Sequence, residues 1–283
     1  MELAEYVRYQ ELLGSKVVWL DGIPFAEYRR RVYWSLPRWR QYDIGRAAVR
    51  RLLVRGALVA VAVTSESTPR GVSFCVCRGP DFGFHRLHRK KRNQTRRGLE
   101  ACEVRRVGWD EMRARGLQIN REALRRQGRR SPLGDARWWD RQCRVSAEFA
   151  DVWAWGAYVG DDLAAYVHVI THSAGFEPGE PPVADVIHFM SGDKHLRSYP
   201  NEALIFTVTT DLLALGYERV VLGSGSDDEN LLPWKRHMGY TVASCSYHLA
   251  ANPMVHVVKP FVPKLRMWMD GSMLGVTRDT VRT

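Results

Sequence analysis

Residues 184–247 carry the pattern that decides the fold: ADVIHFMSGDKHLRSYPNEALIFTVTTDLLALGYERVVLGSGSDDENLLPWKRHMGYTVASCSY. The first run of β-branched and aromatic residues stops at turn residues, which predicts a strand. A segment with apolar residues at helical spacing then begins with Pro200 and ends at Gly216. Helices favour proline in the first turn and glycine just after the last, so this segment is predicted to be a helix. The whole pattern predicts strand, helix, strand, helix and strand over residues 183–190, 200–216, 219–223, 230–238 and 240–249.

Two parallel strands joined by a crossover helix usually open a site beyond their carboxyl ends. In this chain those ends carry residues 191–197 and residues 224–229, and both segments are rich in polar and charged side chains. We therefore expect substrate-binding and catalytic residues in these two segments.

The order of elements, with a predicted hairpin over residues 153–158 and 163–170, is similar to the acyltransferase fold of the GNAT superfamily. Two motifs narrow the resemblance to the Fem-type branch, whose best-known members move amino acids from aminoacyl-tRNA onto peptidoglycan precursors. Residues 231–239, LLPWKRHMG, resemble the aromatic-Lys helix of that branch, and residues 88–97, HRKKRNQTRR, resemble its basic helix start. The resemblance covers roughly the last two thirds of the chain.

This resemblance implies an α/β fold with a mixed sheet flanked by helices, in which a reduced N-terminal lobe packs on a complete C-terminal GNAT lobe. In the reduced lobe, residues 58–63 and 71–78 predict a hairpin. The long helical arm with which some family members grip tRNA is not visible. The predicted division is an N-terminal GNAT-like lobe, a basic helical region, a C-terminal catalytic lobe and a tail, over residues 1–85, 86–150, 151–260 and 261–283.

Acyl transfer to an amine needs a bound activated acyl group, an oxyanion stabiliser and a destination for the amine proton. By resemblance to the Fem lysine, Lys235 stabilises the negative charge that develops at the reacting carbonyl. Trp234 shapes the pocket or helps to bind the 3′-terminal adenosine of tRNA. The alternative for Lys235 is an exposed helix lysine whose stem packs on Tyr240.

Two residues are candidates for the general base. His188 lies on the predicted central strand, and a histidine with a pKa near neutrality is a natural base. The alternative is a hydrogen-bonded core histidine. Asp193 lies in the following loop and is the second candidate base, with a purely structural role as the alternative. Because aminoacyl esters are already activated, positioning can matter more than a strong base.

The substrate-binding candidates fall on the two strand ends, and they are Arg197, Tyr199, Asn201, Ser224, Asp227 and Asp228. The two aspartates could orient the incoming amine as an ammonium ion, or they could simply cap the next helix. Residues 197–202 occupy the place where ordinary GNAT enzymes hold the coenzyme A pyrophosphate with a glycine-rich loop. Here Pro200 lacks an N–H and Glu202 is an anion, so the segment argues against coenzyme A.

The net charge of +11 is concentrated in one region of the chain. Residues 86–130 contain 16 Arg and Lys against 5 Asp and Glu, an excess equal to that of the whole chain. Such a basic zone can hold a polyanion through counterion release, although a solvated helix surface is the alternative. The RNA-binding candidates are Arg89, Lys90, Lys91, Arg92, Arg96, Arg97, Arg125, Arg126, Arg129 and Arg130.

No metal or cofactor is expected beyond the acyl donor. The five cysteines form no C-x-x-C pair, which favours structural thiols, and Cys75 and Cys77 lack convincing further ligands. His168 and His172 have the spacing of a metal pair on a helix, but they fall on or just beyond a strand.

The chain is expected to be cytoplasmic and not inserted in a membrane. Its composition, 45% hydrophobic and 26% charged, is typical of globular proteins. The longest apolar run, residues 57–63, is far too short to cross a bilayer, and residues 1–5 include acids where a signal peptide needs a basic start.

These observations predict an aminoacyltransferase that forms an amide bond between the aminoacyl group of aminoacyl-tRNA and an amine on a peptide-like acceptor. The acceptor could be a peptidoglycan precursor or an intermediate in the biosynthesis of a peptide antibiotic. Two alternatives stay open: an acyl-CoA-dependent N-acyltransferase, and a non-catalytic RNA-binding protein built on a GNAT scaffold. The sequence leaves the oligomeric state open.

Overall fold

A computed structural model describes residues 1–69, 71–172, 181–224, 231–253 and 255. Within these residues the α-helices are α1 (Leu3–Leu12), α2 (Arg46–Val54), α3 (Arg89–Ala101), α4 (Trp109–Arg126), α5 (Ala136–Ala147), α6 (Pro200–Ala214) and α7 (Leu231–His237). The strands are β1 (Val17–Leu20), β2 (Ile23–Arg29), β3 (Val32–Ser35), β4 (Val59–Thr64), β5 (Gly71–Arg78), β6 (Glu103–Arg106), β7 (Val152–Val159), β8 (Asp162–His172), β9 (Val183–Ser191), β10 (Arg219–Ser224) and β11 (Thr241–Ala251). The predicted tail, residues 261–283, lies outside the described residues.

The chain forms two compact units, and the first combines Met1–Tyr9, Val76–Gly223 and Trp234–Thr241. Its strands follow the order β10-β9-β8-β7-β6. The pairs from β6 to β9 are antiparallel, whereas β9 and β10 are parallel. The predicted hairpin and the predicted strand-helix-strand crossover are therefore confirmed, with α6 as the crossover helix.

Helices cover both faces of the first unit's sheet. On one face, α4 and α5 bury Met112, Trp139 and Cys143 against Tyr158 and Tyr166. On the other face lies α6, whose apolar residues are buried around almost its whole circumference. This pattern is typical of a helix covered by a sheet on one side and by another helix on the other. The second helix is α3, which packs along α6.

The second unit combines Gln10–Cys75, Ser224–Pro233 and Val242–Thr283, and its strands follow the order β1-β2-β3-β4-β11. Its core places Val49 and Leu52 of α2 against Phe25 and Ala60 of the sheet. Both units are assembled from separate chain segments. The domain boundaries given above remain predictions.

The hairpin predicted over residues 58–63 and 71–78 is wrong. Both strands form, but β11 lies between β4 and β5. All six residues of β4 are buried, and its two neighbours are β3, in parallel, and β11, in antiparallel orientation. Two apolar runs separated by turn residues indicate two strands, but they do not exclude a third strand that inserts from the far end of the chain.

In the part of the chain that the structure describes, no helix combines the length and the apolar character needed to span a bilayer.

Candidate active site

The candidate site begins where β9 ends and α6 starts, both in the first unit. Tyr199 precedes α6 with φ 53° and ψ 44°, a left-handed conformation that is uncommon for a residue with a side chain. Pro200 then occupies the first turn, where its missing N–H costs nothing. The local backbone at this helix start therefore differs from a glycine-rich phosphate loop.

Helix α3 packs directly on the start of α6 because Gly98 allows the two backbones to meet. A Cβ atom added at Gly98 would lie 2.6 Å from the Tyr199 carbonyl oxygen and 3.4 Å from the Ala203 nitrogen. Only glycine fits this contact. The backbone of α3 therefore lies in direct contact with the first turn of α6.

A buried acid stands in the first turn of α6. The Glu202 carboxylate is 2.6 Å from Lys91 Nζ of α3, and the two side chains are 9% and 13% exposed, respectively. The same Glu202 oxygen accepts a hydrogen bond from Trp234 Nε1 at 3.0 Å. Because buried charges need partners, this pair fixes α3, α6 and the indole of Trp234 relative to one another.

Trp234 and Lys235 are neighbours on α7. The Trp234 ring stacks on Phe189 of β9 with centroids 5.6 Å apart, and Lys91 Nζ lies 5.8 Å from the Trp234 ring centroid. Lys235 is only 7% exposed, so the prediction of an exposed helix lysine does not describe it. A Cβ added at Gly223, near the end of β10, would be 3.7 Å from Lys235 Nζ. The ammonium group therefore lies at the carboxyl end of β10.

His188 lies on the other face of the sheet. Neighbouring residues on a strand point in opposite directions, and Phe189 faces Trp234. The His188 ring instead meets Trp138 of α5 and His168 of β8, with centroids 6.1 Å and 5.6 Å away. Desolvation lowers the pKa of His188 to about 4. The structure does not bring this histidine together with Lys235.

Asp193 lies in the loop after β9 and is held by two arginines. Arg125 donates to its carboxylate at 2.8 Å, and Arg126 donates to the other oxygen. These hydrogen bonds lower the pKa of Asp193, so its carboxylate is charged and already bound to the two arginines. Arg126 also donates to the Ser191 carbonyl oxygen at 2.9 Å, which ties α4 to the end of β9.

Three of the other substrate-binding candidates, Arg197, Tyr199 and Asn201, lie at the start of α6. Asn201 Nδ2 donates to Ser191 Oγ at 3.2 Å, beside Asp193. Arg197 is exposed, and the guanidinium of Arg97 lies over the Tyr199 ring, 5.0 Å from its centroid. Ser224 is the exposed last residue of β10. Asp227 and Asp228 lie outside the described residues.

The basic zone divides between the two faces of the first unit. The α3 residues Arg89, Lys90, Arg96 and Arg97 are exposed, whereas Lys91 and Arg92 are partly buried. Arg92 donates to the Phe84 and Leu87 carbonyl oxygens, which fixes the turn before α3. Arg125, Arg126, Arg129 and Arg130 are exposed at or beyond the end of α4, on the opposite face of the sheet.

No group of three or more His, Cys, Asp or Glu side chains suitable for a metal occurs among the described residues. His168 and His172 are buried on β8, and Cys75 and Cys77 are buried thiols of β5.

Sequence reasoning missed three contributors to the site: Gly98, Phe189 and the pairing role of Glu202. The sequence identifies Glu202 only as an anion at the start of a helix. Its partner Lys91 is 111 residues away, and no local pattern links the two positions. The glycine in an otherwise basic helix was the one available signal, since a glycine inside a helix often marks a close approach.

The geometry defines a class of fold: the chain folds like FemX, with a large mixed sheet flanked by helices. Three solved structures carry this likeness. The first is FemX, with a TM-score of 0.59, 9% identity and coverage of 91% of this chain and 94% of that chain. The second is the C-terminal domain (DUF2156) of a putative lysylphosphatidylglycerol synthetase from Agrobacterium fabrum, with a TM-score of 0.59, 10% identity and coverage of 100% and 95%.

The third structure is L-PGS from Bacillus licheniformis, with a TM-score of 0.57, 12% identity and coverage of 97% of each chain. At these identities the likeness concerns the fold. No family model matches the sequence. No curated protein matches it either.

Proposed function

We propose that this protein is an aminoacyltransferase that passes an aminoacyl group from aminoacyl-tRNA to an amine on a peptide-like acceptor. The observation that carries the proposal is the start of α6. There, Gly98 packs against the Tyr199 carbonyl, and Glu202 places a buried negative charge in the first turn. Both features oppose a coenzyme A pyrophosphate, while the fold remains that of acyl-transferring enzymes.

Lys235 is the proposed oxyanion stabiliser. Its ammonium group is buried at the carboxyl end of β10, where a fixed positive charge acts with little screening by water. The indole of Trp234, held by Glu202 and Phe189, forms the adjoining wall. The attacking amine loses its proton to solvent or to the leaving 3′ oxygen, so the mechanism needs no strong side-chain base.

The test is transfer from a pool of charged tRNA to candidate amines, with RNase treatment as the control. Lys235→Met keeps the length of the apolar stem and removes the charge, so it should lower kcat about 10²- to 10³-fold. The matched control is Arg236→Met, which removes an exposed charge from the same helix and should leave kcat almost unchanged. Transfer that survives RNase, or that is equally fast in Lys235→Met, would contradict the proposal.

Two binding measurements and the Lys235→Met variant distinguish the proposed function from its two rivals. Calorimetry with acetyl-CoA that gave micromolar binding would favour an acyl-CoA enzyme. Tight RNA binding with no transfer to any amine would favour a non-catalytic RNA-binding protein. Lost transfer with retained RNA binding in Lys235→Met supports the aminoacyltransferase.

A further inference from the structure

The exposed face of α3 is a row of cations. Arg89 and Arg96 are seven residues apart, as are Lys90 and Arg97, so each pair lies on one side of the helix two turns apart. All four side chains are exposed, and none forms an ion pair with a carboxylate in the described part of the chain. The helix carries one acid, Glu100.

Two of these arginines are supported by aromatic rings. The Arg96 guanidinium lies 5.3 Å from the Phe84 ring centroid, and the Arg97 guanidinium lies 5.0 Å from that of Tyr199. When a guanidinium group stacks on an aromatic ring, its N–H groups stay in the guanidinium plane and point away from the ring, free to donate hydrogen bonds. That geometry suits bidentate contact with phosphate oxygens.

The arginines of α4 differ because most of them are already paired. Arg113 lies 3.7 Å from Asp140, Arg115 lies 3.7 Å from Glu111, and Arg125 shares Asp193 with Arg126. A cation that is neutralised within the protein releases fewer counterions when a polyanion binds. The basic zone is therefore uneven, and Arg89, Lys90, Arg96 and Arg97 of α3 form an exposed group that no described carboxylate neutralises.

The start of α3 lies against the helix that carries the candidate catalytic lysine. His88, the N-cap of α3, stacks on His237 of α7 with centroids 4.3 Å apart, and its N–H donates to the His237 carbonyl oxygen at 2.9 Å. Thirteen residues give α3 a length of about 20 Å, enough to follow several phosphates of one strand. A strand that runs along α3 towards His88 reaches α7, with Trp234 and Lys235.

We propose that the exposed face of α3, formed by Arg89, Lys90, Arg96 and Arg97, binds the phosphodiester backbone of the acyl-carrying RNA and directs its end to α7. This inference rests on the proposed function. An anionic membrane is the less suitable partner, because a helix that lies in a bilayer surface presents an apolar face to it. In α3 the residues opposite the cations, Thr95 and Gly98, are buried within the protein.

The test measures binding of labelled, uncharged tRNA by fluorescence anisotropy over a range of salt concentrations. Arg89→Ala/Arg96→Ala should weaken binding and reduce the slope of log K against log salt by about 1 for each lost phosphate contact. The matched control, Arg113→Ala/Arg115→Ala, removes the same charge from α4 and should leave the slope unchanged. Circular dichroism confirms that both double variants are folded.

In transfer assays the α3 variant should raise the KM for aminoacyl-tRNA with little change in kcat, because the contacts are made equally before and during reaction. Equal losses in both double variants would overturn the α3 assignment and leave the proposed function intact. Wild-type protein that binds no tRNA would overturn both. Binding to phosphatidylglycerol vesicles that depends on Arg89 and Arg96, without tRNA competition, would also overturn the assignment.

Discussion

Gly98 shows how one residue shapes the site. Gly98→Ala would place a methyl group 2.6 Å from the Tyr199 carbonyl oxygen, and the contact is backbone, which cannot rotate away. We expect this overpacking to reduce the free energy of unfolding by about 1–3 kcal/mol. The loss should appear even though alanine usually stabilises a helix relative to glycine. Urea denaturation measures the change.

The control for Gly98 is Gly71→Ala, whose new methyl group would meet its nearest atom at an ordinary 3.8 Å. This variant should stay within about 0.5 kcal/mol of the wild type. A Gly98→Ala protein as stable as Gly71→Ala would mean that α3 and α6 do not pack this closely.

The two histidines between the sheet and α5 make stability depend on pH. Burial lowers the pKa of His188 to about 4 and that of His168 well below its usual value. The unfolded chain therefore binds more protons than the folded one as the pH falls below about 6.5, so acid destabilises the fold. The free energy of unfolding should fall between pH 6.5 and pH 4.

Denaturation curves at pH 7 and pH 5 measure this effect. The paired carboxylates Asp162 and Asp193 have lowered pKa values, so their contribution is lost only in stronger acid. His188→Phe, which keeps a ring beside Trp138, should show a smaller difference between the two pH values. An unchanged difference would mean that His188 is protonated alike in both states.

At the scale of elements, the Lys91–Glu202 pair joins α3 to α6. Removing one partner leaves a buried charge unpaired, so Glu202→Ala should cost about 3–5 kcal/mol. Replacing both residues by methionine should restore much of that loss. Asp140→Ala, which breaks exposed pairs on α4 and α5, should cost no more than about 1 kcal/mol. A loss for Glu202→Ala as small as that for Asp140→Ala would show that water reaches the pair.

Under the proposed function Glu202 is also a positioning residue, because it accepts a hydrogen bond from Trp234. Glu202→Gln keeps an acceptor for the indole N–H but gives up the charge that holds Lys91. Transfer by this variant should be slower than wild type and faster than in Glu202→Ala. Equal rates in the two variants would indicate that the hydrogen bond to Trp234 is unimportant.

The parts of the fold that could be predicted from sequence are those set by short-range periodicity. The alternation of β9, α6 and β10 follows from apolar spacing and from Pro200 and Gly216, and all three elements form close to the predicted bounds. The insertion of β11 between β4 and β5 depends on a pairing more than 150 residues away in the chain, for which no local pattern exists.

The candidate site likewise contains residues that a local motif predicts and residues that only tertiary contacts bring in. The resemblance of residues 231–239 to a family motif predicts Lys235 and Trp234 as site residues, and the structure places the Trp234 ring 5.8 Å from Lys91 Nζ. The neighbours that determine their surroundings, Glu202 and Phe189, come from other elements. His188 points to the opposite face of the sheet from Phe189, towards Trp138 and away from Trp234. The sequence could not predict this because it does not tell which helix covers which face of the sheet.

At the scale of the whole molecule, the strand order predicts where the chain opens last. Each unit has strands enclosed by neighbours: β8 lies between β7 and β9, and β4 lies between β3 and β11. Amide hydrogens of β8 and β4 should exchange most slowly, and those of the terminal strands β1 and β6 much faster. Hydrogen exchange followed by mass spectrometry checks this. Exchange in β4 as fast as in β1 would contradict the observed order.

The close fit of α3 on α6 limits what protein engineering could do with this scaffold. Rewriting residues 197–202 as a glycine-rich phosphate loop would restore the backbone donors of a coenzyme-dependent enzyme, yet Gly98 already brings α3 within contact of that backbone. Under the proposed function, a change of acyl donor would require α3 to be moved or shortened as well. Donor choice would then depend on how the two helices are assembled, and an exchange of loop residues alone should not convert it.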